Sequence, residues 1–250
     1  MIQVNRGTGP DGFAARSAQW QEQFAKARQQ NPKLSAARFW DQVRSEIRPY
    51  AQILDQIFYN KCAFCESKMA HVSRPQIEHY YPKSKFPERM FNWQNWLLSC
   101  AQCNEIKGTY FPFCDDRPCL LDPASEDPGD HIDFLRAQIL YKTWRGQETI
   151  SLLELNRISL QEERTRWLIW IDSLLLLCCM PSACPQARQL LIWAMQPDAP
   201  FTAMTRAYLS QKVPRLAYPE SPHPFVELYD PIKDIIELVE HYQEQLTQMI

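Results

Sequence analysis

Cys62-Ala63-Phe64-Cys65 and Cys100-Ala101-Gln102-Cys103 are two Cys-x-x-Cys pairs separated by 34 residues. A tight turn lets both thiolates of such a pair grip one metal ion, and two pairs complete the tetrahedral sulfur shell that Zn2+ accepts. Four thiolates leave no open coordination position, so this zinc is read as structural. Four unrelated buried cysteines explain two matched pairs less well, and a redox Cys-x-x-Cys needs only one pair. Cys114 and Cys119 have a wider gap and read as structural thiols, with the question of whether either joins a metal site left open. Cys178, Cys179 and Cys184 fall in or beside an apolar helix and read as core.

Between and after the knuckles run Gln76-Ile77-Glu78-His79-Tyr80-Tyr81-Pro82-Lys83-Ser84, then Asn92-Trp93-Gln94-Asn95-Trp96-Leu97-Leu98-Ser99, then Asn104-Glu105-Ile106-Lys107-Gly108. These motifs, in this order around two knuckles, resemble the HNH endonuclease signature. The resemblance implies a metal-dependent hydrolysis of phosphodiester bonds on a small ββα-metal module of the treble-clef type. An imidazole titrates near working pH, so His79 suits the general base that activates water. Glu78 offers a hard anionic ligand and Asn104 a neutral carbonyl ligand for Mg2+ or Mn2+, which offsets charge on the reacting phosphate. Asn95 takes the family's loop-pinning role. Lys83, Lys85 and Lys107 are the expected phosphate contacts. Two positions depart from the commonest pattern: Glu78 stands where Asp is frequent, and Asn104 where His is frequent.

The elements that must position these residues read as mainly α. Helical spacing runs through residues 15–30 and again from Ser35, is interrupted at Pro49 and resumes over 50–59. The pattern predicts a helical lead with an irregular arm over 1–59, the zinc module over 60–110, a Pro- and Asp-rich connecting loop over 111–133, and a helical region over 134–250. In that last region Ser159-Leu160-Gln161-Glu162 fits a capping box ahead of a helix. A Pro-rich linker follows at 214–224. An apolar stripe from Ile232 to Met249 then reads as a final helix that docks on a partner or closes a bundle.

The chain's 250 residues and 45% apolar content allow a real core, and nine cysteines are an odd number for a secreted disulfide framework. The N-terminus lacks an apolar leader and no apolar run is long enough to span a bilayer, so a soluble cytoplasmic protein is expected, with no membrane partner. Net charge is only −2, yet residues 1–110 carry 15 Lys and Arg against 9 Asp and Glu, while residues 111–250 carry 12 against 20. Nucleic acid, DNA or RNA, is therefore expected to meet the first half.

Beyond the motifs, Leu121-Asp122-Pro123, Asp127-Pro128-Gly129-Asp130-His131-Ile132 and Leu155-Asn156 resemble the HNH effectors of Septu-type and retron-associated anti-phage defence systems. That resemblance implies a partner ATPase of the ABC/SMC-like kind. Two other readings stand beside it: a non-catalytic zinc module that binds nucleic acid or protein, and a restriction-type endonuclease acting alone.

Overall fold

The computed structural model describes residues 1–69, 76–114, 116–178, 180 and 182–217, with backbone alone for 213–217. The stripe from Ile232 to Met249 and most of the Pro-rich linker lie outside the described residues. Two compact units are present: residues 1–131 with 142–155, and residues 132–141 with 156 onward. The described chain is mainly helical with three two-stranded antiparallel sheets. No helix among the described residues is long and apolar enough to cross a membrane.

The first unit opens with an arm that is irregular but firmly held. Val4 N donates to Pro123 O, Arg6 Nη1 to Trp96 O (2.6 Å), and Trp93 Nε1 to Arg6 O (3.1 Å). Gly9 has φ +96, and a Cβ there would lie 3.1 Å from the Trp93 ring, so only glycine lets the arm lie this close. Helix α1 (Phe13–Gln30) buries Phe13, Trp20 and Phe24. Ser35 caps α2 (Ala36–Gln42), its side chain accepting from Arg38 N. The break before α3 (Arg44–Ile57) falls at Val43 and not at Pro49, which sits inside α3. Pro49 lies in the second turn, where its fixed φ is already helical and a single backbone bond is lost.

Strand β1 (Gln76–His79) pairs antiparallel with β2 (Trp96–Ser99), Glu78 opposite Leu97 and His79 opposite Trp96. Helix α4 (Ala101–Lys107) follows β2 and packs back on β1. Phe13 meets the rings of Trp20, Tyr50, Trp93 and Trp96 edge-on, with centroids 5.0–6.3 Å apart. One aromatic cluster thus ties α1 and α3 to the hairpin.

Residues 111–133 are not a plain connecting loop. Strands β3 (Phe113–Cys114) and β4 (Arg117–Pro118) form a hairpin, and Cys114 and Cys119 are joined in a disulfide instead of standing as free thiols. The hairpin brings their Cα atoms to 5.7 Å, within bridging range, and so takes both out of contention as zinc ligands. Helix α5 (Trp144–Leu152), capped by Thr143, completes this unit.

The second unit is not purely helical either. It begins with the hairpin of β5 (Ile132–Leu135) and β6 (Gln138–Tyr141). Helix α6 (Ile158–Cys178) starts one residue before Ser159, so the expected capping serine lies inside its first turn. It packs on α7 (Cys184–Ala194), and α8 (Thr202–Ala217) packs on β5. Trp167 Nε1 donates to Thr205 Oγ1 (2.8 Å), and Tyr208 OH to Asp172 (2.6 Å), which also pairs with Lys212.

Because Phe13 fills the centre of the aromatic cluster, Phe13→Ala is expected to cost roughly 3–5 kcal/mol of stability in the first unit. Denaturant unfolding followed by tryptophan fluorescence checks this, with the midpoint moving to lower denaturant.

Candidate metal centre and active site

The Cys62–Cys65 knuckle is shaped by its backbone. Glu66 N donates to Cys62 O, Cys62 N to Ser67 O, and Glu66 takes φ +61 to turn the chain. Ala63 N donates to Leu98 O (2.8 Å), fastening this knuckle to β2. The second knuckle is the start of α4, where Cys100 is the cap and its Sγ accepts from Cys103 N (3.4 Å). All four sulfurs lie within 4.8 Å of one another, and those of Cys65 and Cys100 are 3.9 Å apart. A Zn–S bond of about 2.3 Å makes a tetrahedron with edges of roughly 3.8 Å, so one zinc fits the four sulfurs. Cys62, Cys65 and Cys103 are buried and Cys100 is half-buried.

Strand alternation sends Glu78 and His79 to opposite faces of the hairpin. Glu78 faces α4, where Lys107 Nζ donates to its Oε1 (2.5 Å) and to His79 O (2.7 Å). Asn104, one turn before Lys107, donates from Nδ2 to Gln76 Oε1 (2.6 Å). Gln76 and Glu78 share one face of β1, so Glu78, Asn104 and Lys107 are gathered on a single side. Burial pushes the Glu78 carboxyl above its usual range, with Lys107 and Lys83 pulling it back. Lys107 is 3% exposed, so it faces inward and not toward a strand of nucleic acid as expected. Its place on the helix face that packs against β1 is the reason.

His79 faces the helical lead. Its Nε2 is 2.9 Å from Met90 O, and Trp40 meets its ring edge-on at 4.5 Å. A carbonyl only accepts, so Nε2 carries the proton and Nδ1 keeps a free lone pair. Burial pushes the imidazole down to about 3, with the Lys83 charge adding to the effect. The ring is therefore neutral at working pH.

Asn95 fastens the loop after β1. Its Oδ1 accepts from Tyr81 N (2.7 Å), and its Nδ2 donates to Tyr81 O (3.0 Å) and Arg89 O (3.1 Å). Lys83 is half-buried with Nζ 5.8 Å from the Trp40 ring centroid, while Lys85 is exposed. Two residues of this arrangement have no role in the motif reading, Gln76 and Trp40. Gln76 was findable, because it lies two before Glu78 on the same strand face. Trp40 was not, because only the tertiary fold brings it to His79.

No family model matches the chain. It is 31% identical over 113 residues to the Septu protein PtuB of Bacillus thuringiensis, covering 44% of this chain and 43% of that protein. The chain is a relative of Septu PtuB. It spans less than half the length of the PtuB proteins it matches. It is also 29% identical over 116 residues to a Vibrio cholerae protein described as the candidate HNH endonuclease of retron Vc95, covering 42% and 56% of the two chains. A third relative, the Septu protein PtuA of Bacillus mycoides, is 25% identical over 190 residues, which are 65% of this chain but 26% of that protein.

One tightly held zinc per chain is expected by metal analysis of the purified protein. Replacing any of Cys62, Cys65, Cys100 or Cys103 by Ser should release it and expose the hairpin and α4 to proteolysis. Protein that keeps its fold with no metal would contradict this assignment.

Proposed function

We propose that the first unit is an HNH-type endonuclease of anti-phage defence, hydrolysing phosphodiester bonds of DNA or RNA, with β1, β2 and α4 forming a zinc-stabilised treble clef. The observation that carries the reading is the convergence of Glu78 and Asn104 on one face of β1 beside α4, with Asn95 fastening the loop that follows. Glu78 and Asn104 would hold Mg2+ or Mn2+, which would offset negative charge on the reacting phosphate. One carboxylate and one neutral carbonyl oxygen suit such an ion, which keeps much of its water. The Lys107 ammonium neutralises Glu78 in the arrangement described, so cation binding there exchanges one positive partner for another. His79, neutral and oriented through Nε2, would take a proton from water at Nδ1. Lys83 and Lys85 would meet the phosphate backbone.

The likeness to PtuB and to the retron protein supports the nuclease and defence assignments. The PtuA likeness supports work with a larger partner, an ATPase of the ABC/SMC-like kind, because most of this chain corresponds to about a quarter of a longer Septu protein. One observation favours a second reading, a non-catalytic zinc module: His79 is 3% exposed, as a packed core histidine would be.

Activity separates the two. His79→Ala should lower single-turnover cleavage by roughly 10²–10⁴-fold, the usual contribution of a general base, with zinc content and far-UV circular dichroism unchanged. Cleavage at the parental rate would refute the base assignment. Glu78→Ala and Asn104→Ala should instead raise the Mg2+ or Mn2+ concentration needed for half-maximal rate. If excess metal does not move their rates at all, the two residues are not its ligands.

A further inference from the structure

A cavity of about 330 Å³ lies in the first unit beside the loop that Asn95 fastens, walled by Tyr81, Arg89, Arg117, Asp122, Glu126 and Arg145 among others. Its two carboxylates are already engaged. Glu126 takes a two-pronged contact from Arg145 (2.5 and 2.8 Å). Asp122 accepts from Ser125 Oγ (2.8 Å) and Ala124 N (2.9 Å) and pairs with Arg6 (3.4 Å). Arg145 also donates to the Pro118 and Leu120 carbonyls.

Arg89 and Arg117 are different. Neither guanidinium makes a hydrogen bond among the described residues, and Glu88, at 3.9 Å, is too far from Arg89 Nε for one. The Arg89 guanidinium lies over the Tyr81 ring, 4.1 Å from its centroid, and the two together wall one side of the cavity. Arg117 stands on β4, and the Cys114–Cys119 disulfide closes the hairpin that presents it. Two open guanidinium forks match the geometry of phosphate oxygens, and an aromatic–guanidinium wall suits the face of a base. The volume is at the small end of ligand cavities, the scale of a single nucleotide.

The wall shares its anchor with the hairpin loop. Asn95 holds the backbone of both Tyr81 and Arg89, and Tyr81 is two residues from His79, a reach of at most about 7 Å along the chain. A strand entering the cavity therefore passes close to the end of β1, which carries His79.

We infer that this cavity is a nucleotide subsite for the substrate strand: Arg89 and Arg117 grip a phosphate, and the Tyr81–Arg89 wall receives the adjoining base. The inference rests on the nuclease reading and adds to it a grip on the strand near the cleavage point. It also gives the disulfide-closed hairpin a purpose, since without that hairpin Arg117 has no place in the wall.

The test uses the zinc-loaded full chain, without divalent metal to prevent cleavage, and a fluorescent single-stranded oligonucleotide read by anisotropy over a range of salt. Arg117→Ala and Arg89→Ala should each weaken binding roughly 10–100-fold, as expected for a lost charge-assisted hydrogen bond. Each should also flatten the slope of log affinity against log salt by about 0.7 per lost phosphate contact. Arg117→Lys should restore the slope but not the full affinity. Arg38→Ala, on the exposed side of α2, is the control. Normal zinc content with affinity and slope equal to the control overturns the subsite. If a mononucleotide binds as tightly as the oligonucleotide and is lost in the same variants, the cavity takes a free nucleotide and the substrate-strand inference fails. If the unaltered protein binds no oligonucleotide, the nuclease reading itself fails and the inference with it, a result distinct from loss in the variants alone.

Discussion

Four sulfurs within 4.8 Å of one another can all be thiolates only if a cation sits among them. Three of the four cysteines are buried, so water cannot screen the repulsion. A zinc ion bound there would turn that liability into a local restraint on the first unit. The segment it closes contains both strands of the hairpin and the loop between them, and α4 begins at the second knuckle. Glu78, His79, Asn95 and Asn104 all lie inside this closed segment or within four residues of its end. With zinc bound, their mutual placement would depend on one coordination sphere that none of them joins. The aromatic cluster around Phe13 also supports the hairpin, and the N-terminal arm is tied to the same residues. Arg6 takes part in both, since its side chain reaches the Trp96 carbonyl and its own carbonyl accepts from Trp93.

Parts of this arrangement can be read from the residues and parts cannot, for definite reasons. The knuckles are legible because metal ligation demands fixed short spacings, and Ser35 is legible because a cap needs a short polar side chain at one place. The Cys114–Cys119 bridge is not, because a four-residue gap is compatible with two thiols, a ligand pair or a bond until the β3–β4 hairpin brings the chains together. The β5–β6 hairpin has strands of only four residues, too short to show a period of two against a helical background. Pro49 misleads because its cost depends on which turn of the helix it occupies. Lys107 misleads for another reason. A lysine one turn beyond a polar residue is normally solvated, and only the packing of α4 on β1 turns this one inward.

The alternation of β1 sets a geometric condition on the proposed chemistry. Consecutive residues Glu78 and His79 point to opposite faces, so no single surface patch presents both. In the proposed chemistry, a phosphodiester acted on by both residues would lie across the strand's end, where the two faces meet. Burial sets the direction of the shift at both residues, and the Lys83 charge acts on each of them as a lesser influence. Burial in turn pushes Lys83 itself down, with Glu78 opposing the effect. In the proposed chemistry, Lys83 would be the group that meets a phosphate arriving between the carboxylate and the imidazole.

The same reasoning explains why Asn95 spends both amide N–H groups and its carbonyl oxygen on backbone. A loop that must place Lys83 at the end of β1, Tyr81 in a cavity wall and Arg89 beside it cannot rely on a regular ladder, because the strand has ended. Side-chain hydrogen bonds to Tyr81 N, Tyr81 O and Arg89 O substitute for the missing strand partner. An aspartate in that position could accept from Tyr81 N but could donate to neither carbonyl, and would set a negative charge beside two backbone oxygens. Asparagine is the side chain that offers one acceptor and two donors in a plane. The arrangement thus calls for an amide and not merely a polar residue, for a reason that lies in the backbone it holds and not in contact with any substrate.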